Sequence, residues 1–144
     1  MIEQDTVRLL RECDAGVKMG VASIEDVLDC VKHKDFKQKL VECKKEHDKL
    51  KVEIQQLLDK YDEEGKNPSM MAKGMSHAKT NVMLTLDSSD QTIADLMTDG
   101  CNMGVKSLNK YLNEYEAADE VSKDICKRLI NLEEKLAIDI RAYL

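Results

Sequence analysis

From Phe36 to Tyr61 the chain repeats Phe36, Leu40, Cys43, His47, Leu50, Ile54, Leu57 and Tyr61, in alternating steps of four and three. Strand faces alternate every second residue, so this spacing belongs to a helix. It is the heptad seam of a long helix packed among other helices. One member of the seam is polar: His47.

The remaining chain reads in the same period. A first helix is predicted from about Thr6 to Lys32, with the seam Leu10, Asp14, Val17, Val21, Ile24, Leu28 and Val31. Gly16 and Gly20 stand one turn apart beside that seam, each costing a helix about 1 kcal/mol relative to alanine. His33-Lys34-Asp35 forms a short turn, with Asp35 as the cap of the second helix. A turn this short forces an antiparallel hairpin, in which residues summing to about 68 lie side by side, placing Gly20 near His47 or Asp48.

The second helix is expected to run to about Glu64, with Gly65 as its C-terminal cap and Pro68 opening a new segment. A shorter, methionine-rich helix is predicted over Ser69 to Leu86. Ser88 with Gln91 fits a capping box for the next long helix, which reaches about Glu116. That helix carries Ile93, Met97, Gly100, Gly104, Ser107 and Tyr111 on one stripe, and Cys101, Val105, Leu108 and Leu112 on another. After a turn at Ala117-Ala118-Asp119, a last helix extends to Leu144, with Glu133 on an otherwise apolar face.

These elements imply one all-α domain over residues 1–144: a four-helix bundle with a short crossover helix between the second and third long helices. A chain of 144 residues is long enough for a real core, and aromatics at only 3% leave aliphatic side chains and methionine to fill it. The formal net charge of −6, with signs interspersed, argues against nucleic acid. No apolar run approaches the length of a membrane span, and the N-terminus lacks the parts of a signal peptide, so a cytoplasmic location is expected. The five cysteines, at 13, 30, 43, 101 and 126, contain no C-x-x-C and read as small buried hydrophobes.

With Leu40-Val-Glu-Cys-Lys-Lys-Glu-His-Asp-Lys-Leu50, Gly65-Lys-Asn-Pro68 and Ile93 to Tyr115 in place, the chain resembles the ferritin-like superfamily. In layout it is similar to small bacterial ferritin-like domains of unknown function. The resemblance implies a di-metal site built from single carboxylates and Glu-x-x-His pairs on facing helices. This sequence departs from it. Lys44 stands three before His47, Leu136 stands three after Glu133, and no Glu-x-x-His occurs. The usual di-metal centre is therefore not carried over, and no cofactor is expected. A bound divalent metal is the alternative, with His47, Glu133 and Asp14 as candidate ligands.

The midpoints of the long helices fall near Met19, Lys49, Asn102 and Asn131, so Gly16, Gly20, His47, Gly100, Gly104 and Glu133 sit at similar heights. A buried hydrogen bond between His47 and Glu133 is expected where relatives keep metal, with the two Gly-x-x-x-Gly faces meeting elsewhere at mid-bundle. Cys43, one turn before His47, is within reach of the ring. Three function classes follow. The favoured one is a non-enzymatic bundle that self-associates, as a homodimer, or binds a protein partner through leftover stripes such as Cys101–Leu112. The second is a degenerate metal protein handling iron or acting as an oxidase. The third is a small-ligand binder using the space left by the four mid-bundle glycines.

Overall fold

The structure, a computed structural model, describes residues 2–68 and 87–144. The described residues form four long helices and no strand. They are α1 (Ile2–Leu28), α2 (Lys34–Lys60), α3 (Asp90–Glu114) and α4 (Glu120–Asp139), closed by a short 3-10 turn over Arg141–Tyr143. The helix predicted over Ser69 to Leu86 lies outside the described residues.

Hydrogen bonds at the two poles fix the helix directions. At one pole the Asp90 carboxylate accepts from the Lys32 and His33 amides, both at 2.8 Å, so α3 starts where α2 starts. At the other, Asp5 accepts from the Ala117 amide at 3.1 Å, and the Thr6 hydroxyl accepts from the Asp119 amide at 2.8 Å. Hence α3 runs parallel to α2 and antiparallel to α1, and the connection from Tyr61 to Ser89 joins opposite ends of the bundle. α1 packs on α2 and α3, α4 packs on α3 and α2, and α1 and α4 also touch across the near diagonal.

The core divides above and below a polar mid-level. One half holds Leu9, Leu10, Val17, Ile54, Leu58, Ile125 and Leu129. The other holds Ile24, Val27, Phe36, Leu40, Ile93, Met97, Leu136 and Ile140. In α2 the buried line runs through Leu50, Ile54 and Leu58. The strict four-three seam passes instead to Leu57, which is only partly buried. The reason is geometric: a straight helix of 3.6 residues per turn drifts from a 3.5 repeat.

Several ends differ from the sequence reading. α1 already begins at Ile2 and stops at Leu28. α2 is preceded by His33, which offers no side-chain cap; Asp35 lies inside the first turn. Asp90 has taken over that pole from 55 residues further on. α2 stops at Lys60, because Asp62 adopts a left-handed backbone with φ of 54°. Gly65 has no positive φ and is not the cap. The α3 cap is one residue later than expected: Ser89 Oγ accepts from the Thr92 amide at 3.2 Å, while Asp87 accepts from Ser89 and Thr92. Asp119 caps α4, accepting from the Ser122 amide at 2.8 Å.

Candidate functional site: a buried histidine–glutamate pair under a glycine-walled cleft

His47 is brought to mid-bundle by the α2 seam and is 1% exposed. Its Nδ1 lies 2.8 Å from the Cys43 carbonyl, one turn back, and 3.5 Å from the Cys43 thiol. A carbonyl only accepts, so Nδ1 carries a proton. Nε2 lies 2.9 Å from Glu133 Oε1 on α4. Burial disfavours a charged ring here. The bonds to Cys43 and Glu133, with the carboxylate's charge, outweigh it, and the His47 pKa rises from 6.5 to about 10. At neutral pH the pair is therefore an imidazolium giving Nε2–H to a carboxylate. Each ion answers the other, which is the condition for keeping either inside.

The glycines make room for this pair. A Cβ on Gly20 would lie 2.7 Å from His47 Nε2 and 3.4 Å from Glu133 Oε1. A Cβ on Gly104 would lie 3.6 Å from Glu133 Oε2. Gly20 of α1 and Gly104 of α3 thus stand on either side of the carboxylate. At Gly16 a Cβ would make ordinary contact with Leu129 and Leu108, and at Gly100 it would meet nothing within 4 Å. The two Gly-x-x-x-Gly segments do not close on one another. They wall a cleft of about 380 Å³ between α1 and α3, and His47 and Glu133 lie on the same side of the bundle as that cleft, contributing to its lining.

Along the cleft, Ile24, Val27, Met97 and Leu136 make one end apolar, while Glu12, Lys66 and Tyr111 make the other polar. Lys66 and Glu12 are an ion pair. Cys101, next to Gly100, faces Glu133; burial and that carboxylate's charge push its thiol far above the ordinary range. Four of the five cysteines are buried, Cys30 is half-buried, and all are unbridged.

Asp14 does not join His47 and Glu133. It is 1% exposed and serves the chain leaving α2. Its Oδ2 accepts from Lys18 Nζ at 2.6 Å and from the Lys66 amide at 3.0 Å. Gly65 is pressed so closely on that oxygen that a Cβ would overlap it. Gly65 is needed for this approach, not for a helix end. Among the described residues, no group of three or more His, Cys, Asp or Glu side chains is placed to hold a metal ion.

Sequence reasoning missed Cys101, Lys66 and Glu12 as parts of this site. Cys101 carried a usable signal, since it lies between two glycines at the height of His47. Lys66 carried none, because a loop residue has no periodicity to place it, and Glu12 of α1 reads as an ordinary charged position beside the seam. The arrangement can hold a compact ligand against apolar walls and offer it the second oxygen of a buried carboxylate. No family model, no curated protein and no solved structure matches this chain.

Proposed function

We propose that the protein is a non-enzymatic small-molecule binder, taking a compact, mainly apolar ligand in the cleft between α1 and α3. The carrying observation is the cleft of about 380 Å³ with a buried ion pair in its wall. Ligand sites are typically concave, mostly apolar, about 300–1,000 Å³ in volume, and furnished with a few fixed polar groups. We further propose a ferritin-like arrangement, supported by parallel α2 and α3, in which His47 and Glu133 stand where relatives keep metal. Self-association loses the support it drew from the stripe Cys101, Val105, Leu108 and Leu112. Cys101 and Leu108 are buried, and Val105 and Leu112 pack against the core.

The test is a fragment screen read by amide NMR on ¹⁵N-labelled protein. The chain has only six glycines, whose amides are readily distinguished. Binding is expected to move Gly16, Gly20, Gly100 and Gly104 while leaving Gly65 in place, and the shifts should vanish in Gly100→Leu. A screen that moves none of the four, or moves Gly65 equally, refutes the reading.

A further inference from the structure

We propose that Cys13 and Cys126 form an internal dithiol site, which a hydroperoxide converts into a disulfide joining α1 to α4. The inference goes beyond the ligand-binding reading and does not depend on the cleft or on what fills it.

Register is the first argument. α1 and α4 start at the same pole, where the Asp119 amide donates to the Thr6 hydroxyl, so the two helices run parallel. Parallel helices of equal rise keep a constant sequence offset along their contact. Thr6 and Asp119 are 113 residues apart. The same offset relates Gly16 to Leu129, whose Cδ2 lies 3.5 Å from a Cβ built on the glycine. It relates Gly20 to Glu133, whose Oε1 lies 3.4 Å from such a Cβ. It also relates Cys13 to Cys126, which therefore share one rung of the α1–α4 contact, a turn from the rung of Gly16 and Leu129.

Contact is the second. Cys13 and Cys126 lie in the same half of the core, and both are 0% exposed. Their thiols share a hydrogen bond. Cys126 Sγ also lies 3.7 Å from the Leu108 carbonyl of α3. A carbonyl only accepts, so Cys126 directs its S–H at Leu108 and its sulfur accepts from Cys13. Sulfurs already in contact must close to about 2.05 Å, which side-chain rotation with a slight settling of the two helices supplies.

The chemistry needs one oxidant, a hydroperoxide such as hydrogen peroxide. Whichever sulfur meets it first attacks an oxygen: the S–O bond forms, the O–O bond breaks, and the thiol proton leaves with the departing oxygen as water. The second sulfur then displaces the new hydroxyl. The S–S bond forms, the S–O bond breaks, and the second thiol proton leaves in another water. The two sulfurs lose two electrons, and the peroxide is reduced to two waters. Burial makes the first step wait on local opening of the bundle, so it is slower than attack at half-buried Cys30. Once it has occurred, the adjacent thiol closes the disulfide ahead of further oxidation to sulfinic acid.

The experiment treats the folded protein with hydrogen peroxide at pH 7, quenches it, blocks the remaining thiols with N-ethylmaleimide, and maps the cysteines by non-reducing digestion and mass spectrometry. A linked pair of peptides carrying Cys13 and Cys126 is expected, within monomers. The oxidised protein should gain about 1 M or more in urea midpoint, because the link closes a long loop in the unfolded chain, and dithiothreitol should reverse the gain. Cys126→Ala, checked for folding by circular dichroism, should lose both the link and the gain. Cys13 and Cys126 recovered as free thiols while Cys30 is oxidised would overturn the proposal. So would links that join either of them to Cys30, Cys43 or Cys101 instead. A Cys13–Cys126 link that lowers the midpoint or leaves it unchanged would overturn the in-register fit.

Discussion

Gly20 and His47 meet across the α1–α2 hairpin so closely that one added carbon on Gly20 would sit 2.7 Å from the ring nitrogen. The ring cannot retreat, since Nδ1 is tied to Cys43 and Nε2 to Glu133. Gly20→Ala is therefore expected to destabilise the bundle by about 1–3 kcal/mol through overpacking, against the roughly 1 kcal/mol that alanine restores to a helix. Gly100→Ala meets nothing within 4 Å and should stabilise by about 0.5–1 kcal/mol. Urea denaturation of the two variants checks the opposite signs; equal effects would remove the steric account.

The mid-level pair should behave as a unit. His47→Leu or Glu133→Leu alone leaves a buried partner uncompensated and is expected to cost about 3–5 kcal/mol. The double variant should recover most of that loss. A double-mutant cycle measures the coupling, and simple additivity would mean the pair does not act together in solution.

Stability should also fall in alkali. The folded pKa of His47 is about 10, against 6.5 for a free ring. A group whose folded pKa is raised contributes in full below its unfolded value and loses that contribution as pH climbs through the folded one. The melting temperature is thus expected to fall between pH 7 and 10. Comparison with the double variant isolates this pair from tyrosines and thiols titrating in the same window. An identical decline in both would assign the loss to those other groups.

Asp14 should hold the segment after α2 rather than a ligand. Asp14→Ala removes the acceptor of the Lys66 amide and the Lys18 ammonium. A loss of about 1–3 kcal/mol is expected, with faster hydrogen exchange at the Lys66 amide. Unchanged exchange at Lys66 would show that the segment is held by other contacts.

Helix periodicity carried most of the architecture. The seam of α2 placed His47 inside, and the short turn read at His33-Lys34-Asp35 gave a hairpin register with Gly20 near His47, although the observed connection spans 29–33. Glu133 announced itself as a charge on an apolar stripe. What periodicity could not express was geometry between helices. Whether Gly-x-x-x-Gly faces close together or stand apart depends on how far neighbouring side chains hold the helices, and that is a property of the packed bundle. The first pole was equally opaque, because the carboxylate that holds the turn before α2 comes from Asp90, far along the chain. Gly65 shows a local signal with two meanings: the same residue suits a helix end and a close backbone approach.

The bonds at the two poles give the cleft a mechanical character. Asp90 fastens α3 to the turn after α1 at one pole, and Asp5 with Thr6 fastens α1 to the turn after α3 at the other. Between these rivets the four glycines lie on the facing stretches of the two rods, and Leu108 of α3 reaches the main chain at Gly16. Long helices bend gently at small energetic expense. In the ligand-binding function proposed above, a guest would be admitted by bowing the middle of the pair, as a slit widens between two springs clamped at their ends.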